Sequence, residues 1–155
     1  MIDIRRVLLI AVCLFLLMSL CACSAGRTFS PEEIHKDVSF VSGGITVKGA
    51  LNYVKGKEMT FTVKEPEIIS GTVFADDKIS FDEVKINYGK TKDNSPVNIL
   101  LMIVSDISET GIEIPFKGEY SYESAVASAE YKINFDCENS EIKSIETDKY
   151  TYTFE

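Results

Sequence analysis

The chain has 155 residues, with 16 basic against 24 acidic side chains, one histidine, no tryptophan and 45% hydrophobic residues. A net charge of −8 repels phosphate backbones and anionic headgroups, which argues against nucleic-acid binding and against electrostatic adsorption to a bilayer. The length suits one domain with its own apolar core, without disulfide or metal staples.

Arg5 and Arg6 form a positive start, and residues 7–20 are apolar apart from Ser19. The run ends in Leu20-Cys21-Ala22-Cys23. This resembles the lipobox of bacterial lipoproteins, in which a small residue precedes a cysteine whose thiolate takes up the diacylglycerol thioether. The resemblance implies cleavage after Ala22 and lipidation of Cys23, which becomes the first residue of the mature chain. Cys21 is a weaker candidate, because Leu20 before it is too large. The run is short for an uncleaved membrane anchor, and a plain secretory signal would use a small-x-small site between residues 22 and 26. Signal residues 1–22, a tether at 23–29 and a β-rich domain at 30–155 are expected. The part after the signal carries 14 basic and 23 acidic residues. Of the four cysteines, only Cys137 would then remain a free thiol. One thiol makes no internal disulfide, and a small buried hydrophobe is its expected role.

Ser30-Pro31-Glu32-Glu33 has a capping box and a proline at the first helical position, so a brief helix is expected there. From Val38 the period is two. Ile45, Val47, Leu51 and Tyr53 share one face, and after a Lys55-Gly56-Lys57 turn Met59, Phe61 and Val63 alternate with threonines. This is the pattern of a hairpin. Pro66 stops the second strand, residues 68–74 read as another, and Asp76-Asp77 as a turn. Ile79 and Phe81 have one parity while Val84, Ile86 and Tyr88 have the other, which suggests a bulge or bend at Asp82-Glu83. Residues 97–107 are nearly all apolar and fit a buried helix or a central strand. Asp93-Asn94-Ser95-Pro96 before them favours the helix. Ile112, Ile114 and Phe116 then alternate, as do Ala129, Tyr131, Ile133, Phe135 and Cys137. Residues 136–140 turn the chain, and residues 142–147 and 150–154 read as closing strands. The fold class is mainly β (α+β), with seven to nine antiparallel strands and one or two short helices.

Met59-Thr60-Phe61-Thr62-Val63 running into Pro66, the helix over residues 95–107 and the closing Tyr150-Thr151-Tyr152-Thr153-Phe154 together resemble the lipoprotein-carrier fold of the LolA/LolB type. The resemblance implies a curved antiparallel half-barrel, helices packed on its concave face, and an apolar cavity there for acyl chains. This chain departs from the pattern in its shorter N-terminal helix and in having no arginine after Arg27.

Few residues suggest catalysis. His35 is the only histidine and has no nucleophile to serve; a solvated surface position is expected. One histidine and one free cysteine make no zinc site. Asp76, Asp77, Asp82 and Glu83 lack the spacing of a calcium loop and read as a soluble turn. Glu65 and Glu67 only flank Pro66. No metal, cofactor or enzymatic reaction is expected. Met59, Phe61, Phe81, Tyr131 and Phe135 are candidates to line a ligand cavity, with an ordinary packed core as the alternative. The expected function is that of a lipid-anchored, non-enzymatic extracytoplasmic lipoprotein. It would bind lipid or lipoprotein acyl chains, or act as an envelope interaction or sensing module that meets a partner protein. The expected site is the outer face of a bacterial cytoplasmic membrane; Ser24 after Cys23 would permit outer-membrane sorting in a Gram-negative host.

Overall fold

A computed structural model describes residues 26–75, 78–82, 84–87 and 95–155. Leu20, Cys21, Ala22 and Cys23, the Asp76-Asp77 turn, Glu83, Tyr88 and the Asp93-Asn94 cap lie outside the described residues.

The first meander begins with β2 (Glu33–Ser42) and β3 (Ile45–Val54), which pair over their full length. Gly43 and Gly44 join them at φ of 58° and 79°. Two successive positive φ values give the tight turn whose twist matches the flanking strands. β4 (Thr60–Glu65), β5 (Val73–Ala75), β6 (Lys78–Phe81) and β7 (Val84–Asn87) continue the meander. Gly49 sits where the β3–β4 register shifts. A Cβ there would meet Phe61 Cζ at 2.5 Å and the Thr62 carbonyl oxygen at 2.6 Å, so only glycine allows this approach.

The second meander comprises β9 (Glu119–Val126), β10 (Ala129–Asp136), β11 (Glu141–Thr147) and β12 (Thr151–Phe154). β12 pairs with β2 through Thr153 opposite Ser39 and Phe154 opposite Val38. The two meanders thereby form one open ten-stranded antiparallel sheet, in the order β7-β6-β5-β4-β3-β2-β12-β11-β10-β9. A separate two-stranded sheet pairs β1 (Gly26–Phe29) with β8 (Ile112–Pro115).

The helix α1 (Pro96–Thr110) connects the meanders. Ser95 Oγ accepts from the Asn98 N–H at 3.3 Å, Pro96 fills the first turn, and Gly111 ends the helix at φ 69° with its N–H on the Ile107 carbonyl at 2.9 Å. Val97, Leu100, Ile103, Val104 and Ile107 of α1 are buried in one core with Val38, Leu51, Phe61 and Val63 of the first meander and Ile133, Phe135, Ile145 and Tyr152 of the second. Each fully buried side chain of this size contributes roughly 1.5–3 kcal/mol. No described helix is long and apolar enough to cross a membrane.

Several sequence expectations are corrected. No helix follows Ser30-Pro31: Glu33 opens a ten-residue strand. The capping signals there are outweighed by the Ile34, Lys36, Val38, Phe40 alternation and its full ladder to β3. Residues 26–29 belong to the fold rather than to a polar tether, because they pair with β8 and Phe29 packs against the core. Residues 68–74 are not one strand. Glu67–Ile69 is a 3-10 turn, and the strand is only Val73–Ala75. The parity change at Asp82 is a hairpin turn rather than a bulge, with Phe81 opposite Val84 and Asp82 at φ 52°. Strand β9 was not anticipated, although Tyr120, Tyr122, Ser124 and Val126 recur with period two; Ser124 among them weakens the apolar pattern. The sheet therefore has ten strands instead of seven to nine, beside the extra pair.

Candidate functional site

Four of the five residues expected to line a cavity are core residues. Met59, Phe61, Tyr131 and Phe135 are buried in the same cluster. Phe61 and Phe135 are 0% exposed. Phe61 packs on Phe40 with ring centroids 6.0 Å apart, and Phe135 meets Phe29 edge-on at 5.0 Å. The Tyr131 hydroxyl donates to Asp106 Oδ2 at 2.6 Å. Burial first, and then this bond to a carboxylate, push the Tyr131 pKa up. Phe81 is the exception. It is 47% exposed on β6, opposite the still more exposed Val84, and belongs to no shared lining with the other four.

His35 is exposed, with Nδ1 3.0 Å from Asn52 Oδ1 and Nε2 3.8 Å from Glu33. Cys137 is fully buried, as its expected role as a small hydrophobe requires, and burial pushes its thiol pKa up. Among the described residues, no group of three or more His, Cys, Asp or Glu side chains is placed to hold a metal ion.

A different set of apolar residues surrounds open space. A hollow of about 420 Å³ lies between β1, the start of β2, and the β8, β11 and β12 strands. Its apolar wall consists of Phe29, Pro31, Ile34, Ile114, Ile142 and Phe154. That volume lies within the ~300–1,000 Å³ of small-molecule sites. The hollow exists because β1 and β8 form their own sheet, so they face the large sheet without continuing its ladder.

The polar lining is unevenly satisfied. Lys36 Nζ pairs with Glu141 Oε1 at 2.8 Å, and His35 and Glu33 lie beside them. Arg27 behaves differently. Its guanidinium donates to the Cys137 carbonyl and lies 5.8 Å from the Phe116 ring centroid. Its Nε is buried without a hydrogen-bond partner, and no carboxylate among the described residues pairs with it.

Two other hollows are more polar in character. One of about 750 Å³ is lined by Glu123, Glu130, Lys132, Glu146 and Asp148 around Tyr131. Another, of about 430 Å³, places Tyr53, Lys55, Lys57 and Met59 against Ser105, Ser108 and Glu109 of the helix. Met59 and Tyr131 thus border separate hollows, and the expected cavity set does not converge.

The chain matches no protein-family model, and no curated protein is similar enough to count as a relative. Sequence reasoning missed the hollow because Phe29 was assigned to the tether and Ile34 to a helix. The available signal was a large aromatic in an otherwise polar leader, two residues after the last arginine.

Proposed function

We propose that this chain is a lipid-anchored, non-enzymatic extracytoplasmic lipoprotein that binds an apolar ligand, such as lipid or a lipoprotein acyl chain. The observation that carries this reading is the hollow bordered by Phe29, Ile34 and Phe154, partly buried side chains packed on the core at Ile114 and Ile142. Burying an acyl chain against that wall would yield about 25 cal/mol per Å² before the losses of immobilisation. Cys23 would carry the lipid, and only two residues separate it from Gly26, an extended span of at most ~11 Å. The domain would therefore sit directly on the membrane surface.

The half-barrel of the carrier-like reading has support from the helix. Ser105 and Glu109 share a hollow with Tyr53 of β3 and Met59 at the start of β4, whereas the neighbouring Asp106 accepts from Tyr131 of β10. β4 and β10 are five places apart in the sheet, roughly 24 Å if it were flat. A helix is only about 10–12 Å across. A sheet curled around α1 accounts for both contacts.

The full chain, released from membranes in mild detergent, is expected to retain lipid in native mass spectrometry, and Phe154→Ala to retain less. Cys23→Ala should lose palmitate label and leave the membrane fraction. Repeatedly lipid-free preparations would remove the ligand, and an unlabelled wild type would remove the anchor. A protein-partner role is the second reading. It is favoured by Val41, Ile45, Ile68, Phe81 and Val84, exposed at strand ends and turns. Replacing Phe81 and Val84 by serine should leave lipid retention unchanged and abolish only partner cross-links.

A further inference from the structure

We infer that the ligand of this hollow is an acidic lipid, an acyl chain ending in a carboxylate or phosphate, and that Arg27 holds its oxyanion. The inference rests on the proposed apolar-ligand reading and adds the chemistry of the ligand's polar end. Five lysines of this acidic chain, Lys36, Lys55, Lys64, Lys78 and Lys143, pair with carboxylates. Among the described residues no carboxylate pairs with Arg27, although Glu33 and Glu141 line the same hollow. Glu141 is instead engaged by Lys36 at 2.8 Å, and Glu33 faces His35.

A guanidinium has five N–H donors in a planar fork that matches a carboxylate or phosphate. Arg27 uses one on the Cys137 carbonyl, and its Nε is buried without a partner. Buried polar groups of native proteins are nearly always satisfied; Nε itself is closed to solvent, so an oxyanion from outside the chain would meet the terminal N–H groups of Arg27, which lines the hollow. Phe116 under the guanidinium and the Cys137 carbonyl fix its position. The source of the ligand follows from the tether. Three residues separate Arg27 from Cys23, at most ~14 Å of chain, so the charged end of the hollow would lie at headgroup height and the apolar wall would take up the chain.

The test uses the full lipoprotein in dodecyl maltoside with cis-parinaric acid and its matching alcohol as fluorescent probes. The acid is expected to bind about tenfold or more tightly than the alcohol. Arg27→Gln should erase that preference, Arg27→Lys should restore part of it, and lysophosphatidic acid should displace the acid. Equal affinity of acid and alcohol for the wild type would overturn the inference and leave an apolar binder. Displacement by inorganic phosphate alone at equal concentration would also overturn it, because the site would then read the anion without the chain. Failure of both probes to bind would remove the apolar-ligand reading itself. The acid–alcohol comparison is made on the wild type, so it holds even if an Arg27 variant folds poorly.

Discussion

Phe135 and Phe29 touch, with ring centroids 5.0 Å apart, yet they belong to different regions. Phe135, from β10, is fully enclosed by the helix and the large sheet. Phe29, from β1, keeps part of its ring on the wall of the hollow. The interior is closed because α1 supplies a third side to alternating side chains from both meanders. The hollow is bordered by β1 and β8, which form their own sheet, and by β2, β11 and β12 of the large one. The same residue type thus serves as core or as binding wall according to what covers it.

Truncation should separate the two regions most sharply. Phe135→Ala is expected to lose about 3–5 kcal/mol in chemical denaturation, and Phe29→Ala less than half as much. Equal losses would mean that the wall is simply more core. The alkaline limb of stability offers a second probe of the interior. Burial raises the pKa of both Tyr131 and Tyr152, and the Tyr152 hydroxyl also donates to the Pro96 carbonyl at 2.7 Å. Both stay neutral in the fold while the unfolded chain ionises near pH ~10. Their contribution is therefore complete below ~10 and declines as pH rises from there toward the folded values, by up to ~1.4 kcal/mol per pH unit for each tyrosine. Denaturant midpoints measured from pH 9 to 11.5 should show this decline, flattened in the Tyr131→Phe, Tyr152→Phe double variant. The smallest effect is expected at the helix start, where Ser95→Ala should remove about 1 kcal/mol. Ligand retention should not change with it, since the helix end at Ser95 borders the core and not the hollow.

How much of this was legible in the sequence depends on the range of the deciding interactions. The β3–β4 hairpin, with Val47, Leu51 and Tyr53 on one strand and the Met59, Phe61, Val63 alternation leading into the other, the Ser95-Pro96 helix start and the buried Cys137 were all readable, because periodicity and capping are local. Ile45 breaks the pattern at 56% exposure: it pairs with Ser42 at the hairpin end, beyond the reach of the helix. Phe81 fails as a cavity residue for a similar reason, since β6 lies two places outside β4 in the sheet. The candidate site was less legible. Its wall draws single residues from β1, β2, β8, β11 and β12, and its arginine is separated by 110 residues from the carbonyl that positions it.

The residues alone determined a β-rich domain, because alternation and turn chemistry are written in neighbouring positions. Only the tertiary structure decided that residues 26–29 form a strand, that one sheet unites both meanders through β12 and β2, and that the open apolar surface lies beside Arg27 and not around Phe61 and Phe135. Whether a side chain is core or wall depends on what lies opposite it, and in this fold that neighbour comes from a distant part of the chain.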